Sequence, residues 1–202
     1  PIADLAISKT VLLVGSNVTE EQNVLAIPVK QAVRSGHQKL IVIDSREVEM
    51  TRYSTLWLRP YPGTDSILIA GLLRSVLDQG LIDQQFITQF TVGIDDLISS
   101  VDSVSVEEIA FETGVSTQQI HEAATLFAEN GPASVIYALE TLETEFQAEA
   151  AKRLTMLSVI TGNLGKPGAG LYPLTTGAND QGTWDMGCLP SFLPGQQLLS
   201  ND

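Results

Sequence analysis

One cysteine, Cys188, in 202 residues removes disulfide frameworks and cysteine-based metal sites within this chain. That scarcity fits a reducing compartment, and a cytoplasmic location is the expectation. Bases are also few, 11 against 24 acids, for a net charge of −13. With no basic stripe to meet a phosphate backbone or an anionic bilayer, nucleic acid and membrane surfaces drop out as partners. Long apolar runs are missing as well. The longest, such as Ile67 to Leu73, are too short to span a bilayer, and no basic-then-apolar signal segment opens the chain, so direct membrane insertion is not expected. Histidine occurs twice, as His37 just after the helix-ending Gly36 and as His121 on a helical stretch. Neither has a Cys or second His at ligand spacing, so a metal site is not expected. No Ser-His-Asp order with a nucleophile elbow is present, which leaves hydrolase chemistry without support. The chain opens at Pro1 and reaches a strand by Thr10, as an excised piece of a longer protein would.

What is present is 44% apolar composition, enough to bury a core. Thr10 to Gly15 is a short β-branched run ended by Gly-Ser-Asn, and apolar positions at Val24, Ile27, Ala32 and Val33 follow before Gly36. Strand, turn and helix are predicted, with Pro28 delaying or kinking the helix. Lys39 to Asp44 is apolar without alternation, the pattern of a parallel strand covered on both faces. Leu56 to Arg59 and Ala133 to Leu139 are further strands. Helices are predicted over Ser66 to Gln79, after the capping boxes at Ser105-Val-Glu-Glu108 and Ser116-Thr-Gln-Gln119, and over Glu143 to Ile160. Strands alternating with helices give an α/β fold with a doubly wound, mostly parallel, Rossmann-like sheet over residues 1–160.

Residues 161–202 read as a loop extension packed on that domain. Thr161 to Gly195 holds eight of sixteen glycines and four of nine prolines and shows no strong helix or strand period. Its Leu164, Leu171, Tyr172, Trp184, Met186 and Phe192 argue against disorder, so a ligand is expected to lie against it.

Ligands of such sheets bind beyond the carboxyl ends of the strands, which puts Gly15, Ser16, Asn17 and Asp44 along one edge. Gly15 and the following helix start could receive a phosphate, with Ser16 and Asn17 as neutral donors, and Asp44 could accept from ribose hydroxyls or a base. The competing reading is an ordinary strand-to-helix turn capped by Asp44, since no G-x-G-x-x-G is present. Pro62-Gly63-Thr64-Asp65 is a type II-like turn with a helix cap, or a place where a carboxylate meets the paired N1 and N2 donors of guanine. Cys188 reads as a small buried filler, Trp57 and Trp184 as packing residues, and Glu140, Glu143, Glu145 and Glu149 as a solvated helix face.

Five segments in register, G-S-N after the first strand, V-I-D-S-R, R-P-Y-P-G-T-D, T-G-N-L-G-K-P-G-A-G and N-D-Q-G-T-W-D-M-G-C-L-P, resemble the molybdopterin oxidoreductases. Their order is similar to that in formate dehydrogenase catalytic subunits and in the G subunit of NADH-quinone oxidoreductase, over Val11 to Gly195 but only a middle slice of the family's large subunit. The resemblance implies a bis-molybdopterin guanine dinucleotide cofactor with molybdenum or tungsten in the parent protein, one dinucleotide gripped by this domain. Gly15, Ser16 and Asn17 would then lie near the phosphates, and Asp44, Arg46, Gly63 and Asp65 around the guanosine. Asn179 and Gln181 would face the pterin, which the glycine-rich stretch would line. An iron-sulfur cluster and the metal ligand are expected outside this slice, and no catalytic residue within it. The implied partners are the rest of the parent chain and electron-transfer subunits of a redox complex.

Two departures from the family pattern favour a second expectation, a cofactor-free structural domain of the G-subunit type: Ala138-Leu139-Glu140 replaces G-M-G, and Thr175 stands where formate dehydrogenases carry an arginine. Another departure, Ser45 for the proline of D-P-R, loosens the turn but retains both charged groups, and Asp65, Asn179 and Gln181 favour the cofactor-binding reading. An unrelated nucleotide-binding module is the third expectation.

Overall fold

Strand β1 (Thr10–Val14) is apolar along its length after Thr10, and all five residues are buried. A strand with no polar face belongs inside a sheet covered on both sides. β1 pairs in parallel with β2 (Lys39–Ile43) on one side and with β4 (Ala133–Tyr137) on the other. β3 (Leu56–Leu58) extends the sheet past β2 and β5 (Gly170–Pro173) extends it past β4, giving the all-parallel order β3-β2-β1-β4-β5. This is the doubly wound α/β sheet that the sequence predicts. The computed structural model describes residues 2–94, 98–99, 105–138, 144–175, 177 and 179–199, without the side chains of 144–146 and 181. The expectations for Leu139, Glu140, Glu143 and the side chain of Glu145 lie outside the described residues.

Alternation along the strands divides the core between the two sheet faces. Leu12, Val14, Ile41, Ile43 and Val135 join α3 (Asp65–Asp78), α5 (Val106–Thr113), α6 (Thr117–Glu129) and α7 (Thr144–Ile160) in the larger cluster. Val11, Leu13, Leu40, Val42 and Ile136 face α2 (Asn23–Arg34) and two 3-10 turns in the smaller. Both predicted capping boxes form, with Ser105 and Glu108 starting α5 and Ser116 and Gln119 starting α6. Ala150, Leu154 and Leu157, the helical-period residues of α7, are fully buried.

The first helix departs from expectation. It breaks at Gln22, between α1 (Val18–Glu21) and α2, and Pro28 sits inside α2 rather than at a helix start. The buried residues of α2 are Leu25, Ala26 and Val29, whereas Val24 and Ile27 are 80% and 47% exposed. Of the expected inward positions Val33 does pack against the smaller cluster, so the misjudged part of the face is the first two turns after the break.

A second departure concerns the glycine-rich stretch. A strand was not expected there, yet β5 runs through it and hydrogen-bonds to β4. Its four residues span roughly 13 Å, so the stretch is divided between opposite edges of the sheet. Residues 161–169 lie at the amino-terminal edge. Asn163 Oδ1 accepts from the Ala133 amide at 2.9 Å, and the Gly168 carbonyl accepts from the buried Ser8 and Ser134 hydroxyls at 2.7 and 3.1 Å. Only from Leu174 onward does the chain emerge at the carboxyl edge. There follow α8 (Asp180–Asp185) and a small antiparallel pair, β6 (Phe192–Leu193) and β7 (Gln197–Leu198). T-G-N-L-G-K-P-G is therefore a fastening for strand starts.

Helix α3 crosses α5 closely at Gly71, where an added Cβ would stand 2.7 Å from Ile109 Cγ2. Gly71→Ala should destabilise the chain by about 1–3 kcal/mol through overpacking, and Ile109→Val on the same chain should recover part of the loss. Urea unfolding of the two single variants and the double variant measures this coupling. Additive effects would show that the contact is not tight.

Candidate functional site

In a parallel sheet the space beyond the carboxyl ends opens widest where the strand order reverses. Here the reversal lies between β1 and β4, since the chain builds outward through β2 and β3 before returning to β1's other side. Gly15 leaves β1 at φ +59°, and a Cβ on it would lie 2.8 Å from the Ala138 carbonyl oxygen at the end of β4. Conformation and contact both require glycine there. The Gly15 amide donates to the Ile43 carbonyl at 2.9 Å, so the turn is anchored to β2. Ser16 is buried and its hydroxyl has no partner. Asn17 precedes α1 without capping it, and its Oδ1 accepts from the Thr19 hydroxyl at 3.0 Å. With four residues, α1 aligns few peptides and presents only a weak dipole.

Asp44 follows β2 and is 3% exposed. Its Oδ1 accepts from the Arg46 amide at 2.8 Å, with Arg46 Nε 3.5 Å away, and its Oδ2 is buried with no partner. The backbone here is braced from β3. Trp57 Nε1 donates to the Asp44 carbonyl at 2.9 Å, and Arg59 lies over the Trp57 ring at 5.2 Å while its Nε donates to the Ser45 carbonyl at 3.1 Å. Trp57 thus does more than the packing the sequence suggested.

The turn Tyr61-Pro62-Gly63-Thr64 closes with the Thr64 amide donating to the Tyr61 carbonyl at 3.0 Å, and Gly63 has φ +86°. Proline second and a left-handed glycine third make this the type II-like turn expected. The cap was expected among these residues, but Thr64 takes that position without a side-chain bond and Asp65 becomes the first residue of α3. Burial, opposed in part by a backbone hydrogen bond and reinforced by the Asp44 charge, pushes the Asp65 carboxyl above its usual range.

Gly15, Asp44, Ser45, Arg46, Pro62, Gly63 and Asp65 together line a cleft of about 230 Å3. Five of the nine residues singled out from sequence line it, and Ser16 is next in the chain. Asn17, at the start of α1, is not among the lining residues. Nor is Asn179, which is exposed and left-handed (φ 67°) before α8. The side chain of Gln181 lies outside the described residues. Sequence reasoning missed Ser45 and Pro62 as lining residues, and it missed Trp57 and Arg59 as the brace. Their spacing on a predicted strand end was the available signal.

Cys188 is exposed, which corrects the expectation of a buried filler. A cysteine in a stretch carrying so few other buried residues has no core to fill. His37 and His121 face Ser35 and Ser75 hydroxyls at 2.8 Å, and no group of metal-ligating side chains occurs among the described residues. No helix among them is long and apolar enough to cross a membrane.

Against known proteins, the family model described as molybdopterin oxidoreductase matches residues 1–194. The alpha subunit of a formate dehydrogenase from Methanococcus maripaludis is 35% identical over 98% of this chain and 29% of its own length. The assimilatory nitrate reductase catalytic subunit of Bacillus subtilis is 31% identical over 100% of this chain and 28% of its own length. Acetylene hydratase from Pelobacter acetylenicus superposes with a TM-score of 0.74 at 28% identity, covering 82% of this chain and 23% of that one. The chain thus spans less than a third of the length of these relatives.

The raised Asp65 value has a consequence for stability. At low pH the residue is protonated in folded and unfolded chains alike; as pH rises the unfolded chain gives up this proton first, so folded stability falls until pH passes the folded value. Asp65→Asn should therefore raise the melting temperature at pH 7, with the gain shrinking as pH falls through the ordinary carboxylate range. Thermal melts of both chains across that range test it, and a gain that is constant with pH would contradict the assignment.

Proposed function

The chain belongs to the molybdopterin oxidoreductase family, and from that premise we propose that it is the pterin-dinucleotide-binding domain of a formate dehydrogenase-like oxidoreductase. The cleft between Asp44 and Asp65 takes the guanosine end of one molybdopterin guanine dinucleotide. The observation that carries this reading is Asp44 Oδ2, a buried acceptor without a donor on a residue that lines the cleft. A buried acceptor left unpaired costs about 1–3 kcal/mol, and a ligand with hydroxyl or N–H donors relieves it. The second carboxylate, Asp65, adds an acceptor whose proton affinity is already raised. Guanine offers N1–H and N2–H on one edge, a pair of donors that one carboxylate can accept and that adenine lacks, while the ribose hydroxyls suit the other.

The other roles follow from position. Arg46, mostly exposed at the cleft and 3.5 Å from Asp44, balances the two acids and presents a cation to an anionic ligand. The unpartnered Ser16 hydroxyl is a donor for phosphate. Gly15 adds little to the phosphate reading, because Ala138 already requires a glycine there. The bound metal-pterin group would supply the redox chemistry. This chain's residues bind and orient it, with the metal ligand, an iron-sulfur cluster and the electron-transfer subunits contributed from outside. Relatives named for formate and nitrate, with acetylene hydratase as a structural neighbour, support a domain that fixes the cofactor and leaves the substrate to other segments. The cofactor-free structural alternative is not favoured: a domain that had lost its ligand would gain by pairing or replacing Asp44.

Asp65→Asn or Asp44→Ala in the complete oxidoreductase should lower its guanine nucleotide content after gentle purification. Losing a charge-assisted pair weakens binding by roughly tenfold to a hundredfold. Nucleotide release by acid and quantification of molybdenum and tungsten measure it. A wild-type protein that carries neither metal nor guanine nucleotide would sink the proposal. For the 202-residue chain alone, calorimetry should show weak binding of guanine nucleotides and weaker binding of adenine nucleotides; equal affinities would count against the two aspartates.

A further inference from the structure

At the edge of the sheet opposite the cleft, α4 (Gln84–Phe90) and the end of α7 enclose a second, drier pair of hollows. One of about 470 Å3 is walled by Phe86, Phe90, Val159 and Leu164, and one of about 160 Å3 by Val92, Met156 and Val159. They share Thr91 and Val159, so they adjoin along one grooved face. Phe90 packs on Phe86 with ring centroids 5.0 Å apart yet remains 65% exposed, and Val92 is 100% exposed. Among the described residues, the charged side chains on this lining are Asp83 and Lys166, in a chain of net charge −13.

We infer that this groove is the seat of another part of the same polypeptide, an apolar segment lying outside the 202 residues. Three observations select that occupant. The relatives are polypeptides of which this stretch makes up 28–29%, so most of their mass lies elsewhere in the chain and has to pack against it somewhere. An apolar groove with so little charge at its rim resembles a domain core cut in half, which is the character of permanent packing rather than of transient docking. A second copy is disfavoured because two chains of net charge −13 repel each other. The groove lies across the sheet from Asp44 and Asp65, so occupying it leaves the cleft open. The inference needs no cofactor and stands or falls separately from the guanosine assignment.

Thiol accessibility tests it. On a Cys188→Ser background, which removes the exposed native thiol, Val92→Cys introduces a thiol at a fully exposed position where the substitution leaves the core untouched. Maleimide labelling of native protein is compared with labelling of the same protein in denaturant. In the 202-residue chain Val92→Cys should react as fast as in denaturant; in the full-length polypeptide it should react at least about tenfold more slowly. Equal rates in the two native proteins would overturn the inference. Protection in the short chain that disappears on dilution would also overturn it, in favour of a second copy. Phe90→Asp gives an independent reading. It should lower the melting temperature of the full-length protein and leave that of the 202-residue chain within about a degree. The same loss in both would show that Phe90 serves only its own domain.

Discussion

Parallel pairing of β1 between β2 and β4 is the constraint on which the rest depends. Val11, Leu12, Leu13 and Val14 are all buried, and each contributes roughly 1.5–3 kcal/mol by leaving water. Together they rival the whole net stability of a domain, about 5–15 kcal/mol. A strand bonded by parallel ladders on both edges cannot shift register without breaking both, so its ends are fixed in space. That fixes where Gly15 turns, and the Gly15 amide donating to the Ile43 carbonyl and the Ala138 amide donating to the Val14 carbonyl then hold the ends of β2 and β4 beside it. The cleft is thus a consequence of the core.

Within the cleft, stability and recognition pull in opposite directions. Asp44 is held by its neighbour's amide and by the Trp57 brace beneath its carbonyl, yet one oxygen is left buried and unpaired. Asp65, pushed toward its neutral form by burial and by Asp44, adds a second unfavourable group a short way off. Proteins keep such pairs where a ligand supplies what the fold withholds. The cost is local, because Trp57 and Arg59 tie the loop after β2 to the end of β3.

The two edges of the sheet do different work. At the amino-terminal edge, Ser8 and Ser134 bond to the Gly168 carbonyl and Asn163 bonds to the start of β4, while Gln38 Oε1 beside them is buried without a partner. Beside them lies an apolar face that suits packing. At the carboxyl edge the Ser16 hydroxyl and Asp44 Oδ2 are buried without partners, and the chain after β5 is tied back by Gln22 Nε2 donating to the Thr175 carbonyl at 3.2 Å. Thr175 therefore lies at the carboxyl edge of the sheet, whereas T-G-N-L-G-K-P-G lies at the amino-terminal edge.

The fold was largely legible in the sequence. Apolar runs without alternation marked β1, β2 and β4 as covered strands, and Ser-x-x-Glu and Ser-x-x-Gln marked two helix starts, because these signals act over a few residues. So did Pro62-Gly63, whose turn follows from backbone sterics alone. Asp44 and Asp65 could be nominated from strand ends, but that they face one cleft, and that one oxygen of Asp44 has no donor, depends on residues from three strands. Sequence could not show β5, since Gly170 to Pro173 carries no strand pattern and is held by its neighbour β4. It misjudged part of the face of α2, which begins anew after the break at Gln22. Local chemistry named the elements and the acids; long-range pairing decided which edge each reached.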